Sequence, residues 1–153
     1  MLCACIKALL HQSMTTMTRV RSYSELRRLE TFDDRFDYLN LNGLVGETTF
    51  GSMRWLNQQF YTSRQWRHVR DAVILRDEGC DLGVPGFEIA TDLLIHHMNP
   101  VTREDLVHSE PWLIDPEYLI TTTRRTHNAI HFGDRSLLPR LDVDRQPGDT
   151  KLW

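Results

Sequence analysis

Two short phrases concentrate the histidines of this chain. Of seven in 153 residues, four fall in LLIHHMNP (93–100) and TTTRRTHNAIHFGD (121–134). His127 and His131 are four apart in a segment that reads as helix, where positions i and i+4 share a face, so both imidazoles can point at one metal ion. His96 and His97 close an apolar run that reads as a strand, and strand neighbours point to opposite sides. One of the pair can complete a three-imidazole site while the other takes a different task. An uncoordinated histidine titrating near neutrality is suited to take a proton from water. A divalent ion with an open position would polarise a phosphate or stabilise a departing oxygen, and together these are the parts of a hydrolase. An isolated H-x-x-x-H is often just two surface histidines, whereas both phrases together are much more specific. A zinc peptidase is excluded, because its helix needs Glu directly after the first histidine and Asn128 stands there.

The elements that must position these groups come from a chain long enough for one modest domain with a real core. Composition is that of a soluble globular protein, 41% hydrophobic and 25% charged. A net charge of −3 does not announce a nucleic-acid binder, so any such role must rest on local charge. Cys3, Cys5 and Cys80 make an odd count that argues against a disulfide framework, for a reducing, cytoplasmic compartment, and against a four-cysteine zinc site. The opening MLCACIKALLHQS is too short for a membrane span. Met14 or Met17 is expected to be the true start, with residues 1–22 disordered or extraneous.

Residues 23–39 carry helix-like spacing of Leu26, Leu29, Phe32, Phe36 and Leu39, broken at Asn42-Gly43. A second helical run, 52–77, contains Ser63, which can cap a new helix with Trp66, Val69, Val73 and Ile74 as its apolar stripe. Arg64, Arg67, Arg70 and Arg76 make this the most basic stretch, either a solvated face or a phosphate-contacting one. Past Gly79, Gly83, Pro85 and Gly86, the apolar segments 87–90 and 93–95 flank Thr91-Asp92 and predict a β-hairpin. Asp115-Pro116-Glu117 predicts the start of a helix running to about 131 and stopping at Gly133. The organisation expected is a helical extension (23–78) bracing a hairpin-and-helix core (79–134), then an irregular tail (135–153).

With these residues in place, the chain resembles the HNH nucleases, the ββα-metal (His-Me finger) superfamily, and more closely the small HNH endonucleases of tailed bacteriophages and prophages. The resemblance covers about residues 20–140 and rests on WRHVRDAVILRDEGCDLG, LLIHHMNP and DPEYLITTTRRTHNAIHFGD. It implies an α+β fold whose core is a β-hairpin followed by a helix. It implies His97 as general base, with His96, His127 and His131 as metal ligands. Two departures stand out. Tyr118 occupies the place of the Asn that supports the base in many members, so it is a supporting residue at best. The two Cys-x-x-Cys pairs of many members read here as Cys80…Gly83 and Thr123…Thr126, so no structural zinc is expected. The implied activity is metal-dependent hydrolysis of DNA to 5′-phosphate and 3′-hydroxyl ends, with Mg²⁺ or Mn²⁺, or with Ni²⁺ or Zn²⁺ on three imidazoles. Arg124 and Arg125, with Arg67 and Arg70, are the candidates for DNA phosphates. The implied partners are double-stranded DNA and the packaging terminase or portal. The competing expectation is a non-catalytic accessory module that keeps the fold for recruitment.

Overall fold

The computed structural model describes residues 20–43 and 54–139. Most of the expected 1–22 segment and of the tail, and the start of the expected 52–77 run, lie outside the described residues. The described chain begins at Val20, inside the stretch expected to be disordered: Arg21 exchanges backbone hydrogen bonds with the Asn99 side chain (2.8 and 2.9 Å). Its guanidinium also donates to the carbonyls of Tyr38 and Asn40.

The single helix expected over 23–39 is two. Helix α1 (Tyr23–Leu26) is capped by Ser22, and α2 (Phe32–Leu39) by Thr31, whose hydroxyl accepts from Asp34 N. The break has a packing reason: the chain folds back so that Leu26 and Leu29 meet Tyr38, Leu39 and Leu41 in one cluster. Helices α3 (Arg54–Thr62) and α4 (Arg64–Arg76) meet at Ser63, which caps α4 by accepting from Trp66 N, as expected. Trp66, Val69 and Val73 are buried, and Ile74 half-buried.

The expected hairpin of 87–90 with 93–95 does not form. A turn does occur at Asp92 (φ 58°), but it sends the two segments into different sheets. Strand β1 (Cys80–Asp81) pairs antiparallel with β2 (Phe87–Glu88), and β3 (Leu93–His97) pairs with the distant β4 (Leu119–Thr123). Between them lie α5 (Arg103–His108), with a Thr102/Asp105 capping box, and a 3₁₀ turn at Pro111–Ile114. The helix expected from 116 to 131 is likewise shorter: Asp115 caps only the 3₁₀ turn Pro116–Tyr118. Leu-Ile-Thr-Thr-Thr then runs as β4, because β-branched side chains suit a pleated strand better than a helix. Thr123 caps the true helix, α6 (Arg124–Phe132), which ends at Gly133 in the left-handed region (φ 70°).

The result is a mixed α+β architecture in which the β3–β4 hairpin lies between two helical layers. Leu119 packs with Trp66, Val69 and Val73 of α4, while Ile120 and Met98 pack with Ile130 of α6 and with α2. The outer edge of β4 is held by buried carboxylates. Asp77 accepts from Thr121 N (2.7 Å), and Asp81 accepts from Thr123 N (2.8 Å) and Gly83 N (3.0 Å). Arg76, stacked on Tyr23, donates to the carbonyls of Pro116 and Leu119. Gly83 sits so close to α6 that a Cβ would fall 2.5 Å from Thr126 Cγ2. The places where a zinc knuckle would sit are thus joined by direct packing and the Asp81 hydrogen bonds. Among the described residues no helix is long and apolar enough to cross a membrane.

Candidate metal centre

Strand alternation and the β3–β4 register decide where each histidine goes. His96 pairs with Ile120 and faces α6, whereas His97 pairs with Leu119 and faces α4. On the α6 face, His127 and His131 lie one turn apart on the helix. The His96 ring stands edge-on to both, at 5.2 and 5.0 Å between centroids. His127 Nε2 and His131 Nε2 are 3.1 Å apart, and the three residues offer nitrogens within 4.8 Å of one another. Nitrogens bound to one small divalent ion at about 2.1 Å sit roughly 3.0–3.4 Å apart, so this pair already has a ligand-like separation.

Two further observations fit a cation. His96 is 1% exposed, and its Nε2 is buried with no hydrogen-bond partner. Leaving such a nitrogen unpaired costs on the order of 1–3 kcal/mol, which a metal bond would offset. His127 Nδ1 meets Asn128 Oδ1 at 3.3 Å, which places the proton on Nδ1 and leaves Nε2 bare toward the cluster. Burial keeps all three imidazoles neutral: it drives His96 well below its ordinary value, reinforced by the neighbouring histidines and Arg21, lowers His127, and brings His131 down to about 4. Neutral imidazole is the ligating form. Among the described residues no other group of three potential ligands gathers this closely.

His97 has a different environment. Its ring stacks on Trp66 (5.4 Å, 16°) and is flanked by Phe60, Tyr61 and Trp112 at 6.0–6.4 Å. Its Nε2 lies 3.0 Å from the Leu113 carbonyl, so that nitrogen carries the proton and donates. Burial holds its pKa down to about 4, against the opposing pull of that hydrogen bond. Tyr118 touches neither histidine by hydrogen bond among the described residues. Its carbonyl accepts from Met98 N (3.0 Å), and its ring stands edge-on to Trp112, one ring removed from His97. Its contact beside His97 is therefore a backbone hydrogen bond to Met98.

The four candidate arginines are not brought together. Arg124 and Arg125 are exposed on the first turn of α6 and line a cleft of about 920 Å³ with Asn128 and Phe87. Arg67 and Arg70 are exposed on α4, on the other side of the hairpin, where Arg67 donates to the Thr62 carbonyl and Arg70 pairs with Asp71. Sequence reasoning missed Arg21, Asn128 and the aromatic surroundings of His97. Asn128 was visible only as the Glu that is not there, and Trp66 only as part of an apolar stripe.

Comparison of the chain with protein-family models, with curated proteins and with solved structures gave no match.

Proposed function

We propose that the chain is a metal-dependent HNH endonuclease that hydrolyses DNA phosphodiester bonds, with β3, β4 and α6 as its ββα-metal core. The observation that carries this reading is the convergence of His96, His127 and His131 from hairpin and helix, with a buried, unpartnered nitrogen at its centre. These three residues would hold a divalent ion, which when bound supplies Lewis acidity to the scissile phosphate and the departing oxygen. Three imidazoles suit Ni²⁺ or Zn²⁺, while Mg²⁺ or Mn²⁺ is more usual for phosphoryl chemistry. His97 takes the proton of the attacking water. The water oxygen bonds to phosphorus as the bond to the 3′-oxygen breaks, the departing oxygen takes a proton from solvent, and the products are 5′-phosphate and 3′-hydroxyl ends. Arg124 and Arg125, exposed at the mouth of the cleft beside Asn128, contact backbone phosphates, so binding weakens as salt rises. In this reading the partners are double-stranded DNA and the terminase or portal of a phage packaging machine in the host cytoplasm.

A second reading, a non-catalytic accessory module for DNA or terminase binding, is favoured by the enclosure of His97 and by Tyr118 in the place of Asn. Cleavage of supercoiled plasmid separates the two. Wild type, His96→Ala and His97→Ala are compared with Mg²⁺, Mn²⁺, Ni²⁺ or Zn²⁺ and with EDTA. Metal-dependent nicking that disappears in both variants is the expected result. Metal and DNA binding without cutting under any ion would sink the nuclease reading and leave the module.

A further inference from the structure

A base that activates water must come within one hydrogen bond, or one bridging water, of the reacting oxygen. His97 is 8% exposed, walled by four aromatic rings, and turned to the face of β3 opposite His96. Its walls come from three places: Phe60 and Tyr61 from α3, Trp66 from α4, and Trp112 from the 3₁₀ turn that also supplies the Leu113 carbonyl.

We propose that this is a latched state, in which α3 closes an aromatic box over His97 and outward movement of α3 opens the ring to water. The proposal rests on the nuclease reading for its consequence, though the enclosure itself is independent of it. The walls are unequal. Trp66 is buried with Val69, Val73 and Leu119 against the hairpin, so α4 is fixed. Tyr61 is 44% exposed and Phe60 half-buried at the edge of that cluster, and their rings pack on each other and on Trp66. Helix α3 joins α4 through one extended residue, Ser63 (ψ 153°). A rotation there, with release of the Arg67 hydrogen bonds to the Thr62 carbonyl, lifts Phe60 and Tyr61 while the Ser63 cap and the core stay in place, the hinge-type movement that a single element-terminal residue can absorb. With that wall gone, His97 can exchange the Leu113 carbonyl for water and change rotamer.

The test uses the full chain and the variants Phe60→Ala and Tyr61→Ala. Deuterium exchange at the imidazole C2 position, resolved by tandem mass spectrometry, reads solvent access to His97 separately from His96. Exposed His68 on α4 serves as the internal reference. Each variant is expected to speed exchange at His97 by about tenfold, leave His68 unchanged, and raise the plasmid-nicking rate in step. Unchanged exchange in both variants, with melting temperatures retained, overturns the latch. So does faster exchange without faster nicking in a protein whose wild type does cut. Faster exchange where no form cuts with any ion upholds the latch and sinks the nuclease reading instead. Should Phe60→Ala fail to fold, Tyr61→Ala still decides, because Tyr61 is 44% exposed and outside the buried cluster.

Discussion

The α6 face and the α4 face of the β3–β4 hairpin start from adjacent residues of one type and make opposite use of them. On the α6 face, His96 is gathered with two other imidazoles around an unsatisfied nitrogen. On the α4 face, His97 is fully packed, its ring stacked on Trp66 and its Nε2 satisfied by Leu113. Burial lowers both pKa values, yet the cause leads to different ends: a neutral cluster with an unpartnered nitrogen, and a neutral ring treated as part of the core. The difference teaches that burial and a shifted pKa do not by themselves mark a reactive group. What distinguishes the faces is whether the polar atom has a partner.

The comparison is broken most sharply at the cluster. His96→Ala and His127→Ala are each expected to weaken Ni²⁺ or Zn²⁺ binding by about a hundredfold or more in calorimetric titration, while His97→Ala stays within about twofold. Equal losses in all three would mean that the two faces are not separate.

A smaller effect is expected where the hairpin is held from its edge. Asp81→Ala strands the Thr123 and Gly83 amides in the interior and should cost about 3 kcal/mol in a denaturant titration, whereas Asp81→Asn, which keeps an acceptor, recovers much of it. If Ala and Asn lose equally, the carboxylate charge rather than its hydrogen bonds is what matters.

Acid sharpens the α4 face. His97 in the fold titrates at about 4 against an ordinary 6.5, so the unfolded chain binds more protons throughout that window. The stability is complete above 6.5 and is lost as pH falls toward 4. At pH 5 the loss from this one residue is about 2 kcal/mol relative to neutral pH. It is read as the difference in unfolding free energy between wild type and His97→Gln at the two pH values, and an equal acid sensitivity in both proteins would contradict the packed, neutral ring.

The smallest effect tests how the cluster is oriented. Asn128→Ala removes the acceptor on His127 Nδ1 and should weaken metal binding about tenfold, while Asn128→Asp restores or tightens it. An unchanged affinity in the alanine variant would mean that helix packing alone sets the ring.

Much of the histidine cluster was legible because it depends on local spacing: the i, i+4 pair on a helix and strand alternation at 96 and 97 needed no tertiary information. The Ser63 cap was legible for the same reason. Strand pairing was not, because nothing local tells residues 93–97 to pair with 119–123 across two intervening turns and a helix rather than with 87–90 next door. The Asp115-Pro116-Glu117 signal was real but short-range: it started a single 3₁₀ turn, and the β-branched run after it carried the evidence for a strand. The enclosure of His97 depends on rings from three separate elements and left no trace in spacing.

The buried carboxylates of Asp77 and Asp81 have a consequence for association between molecules. A two-stranded ribbon presents two rows of backbone donors, and an open row is an invitation for a strand of another chain to add itself. Along β4 the outward N–H groups of Thr121 and Thr123 are already taken by side-chain oxygens, and the Thr121 carbonyl by Leu82 N. The ribbon is therefore closed to growth on that side without a third strand to cover it, so β4 offers no template on which another copy of the chain could begin a shared sheet.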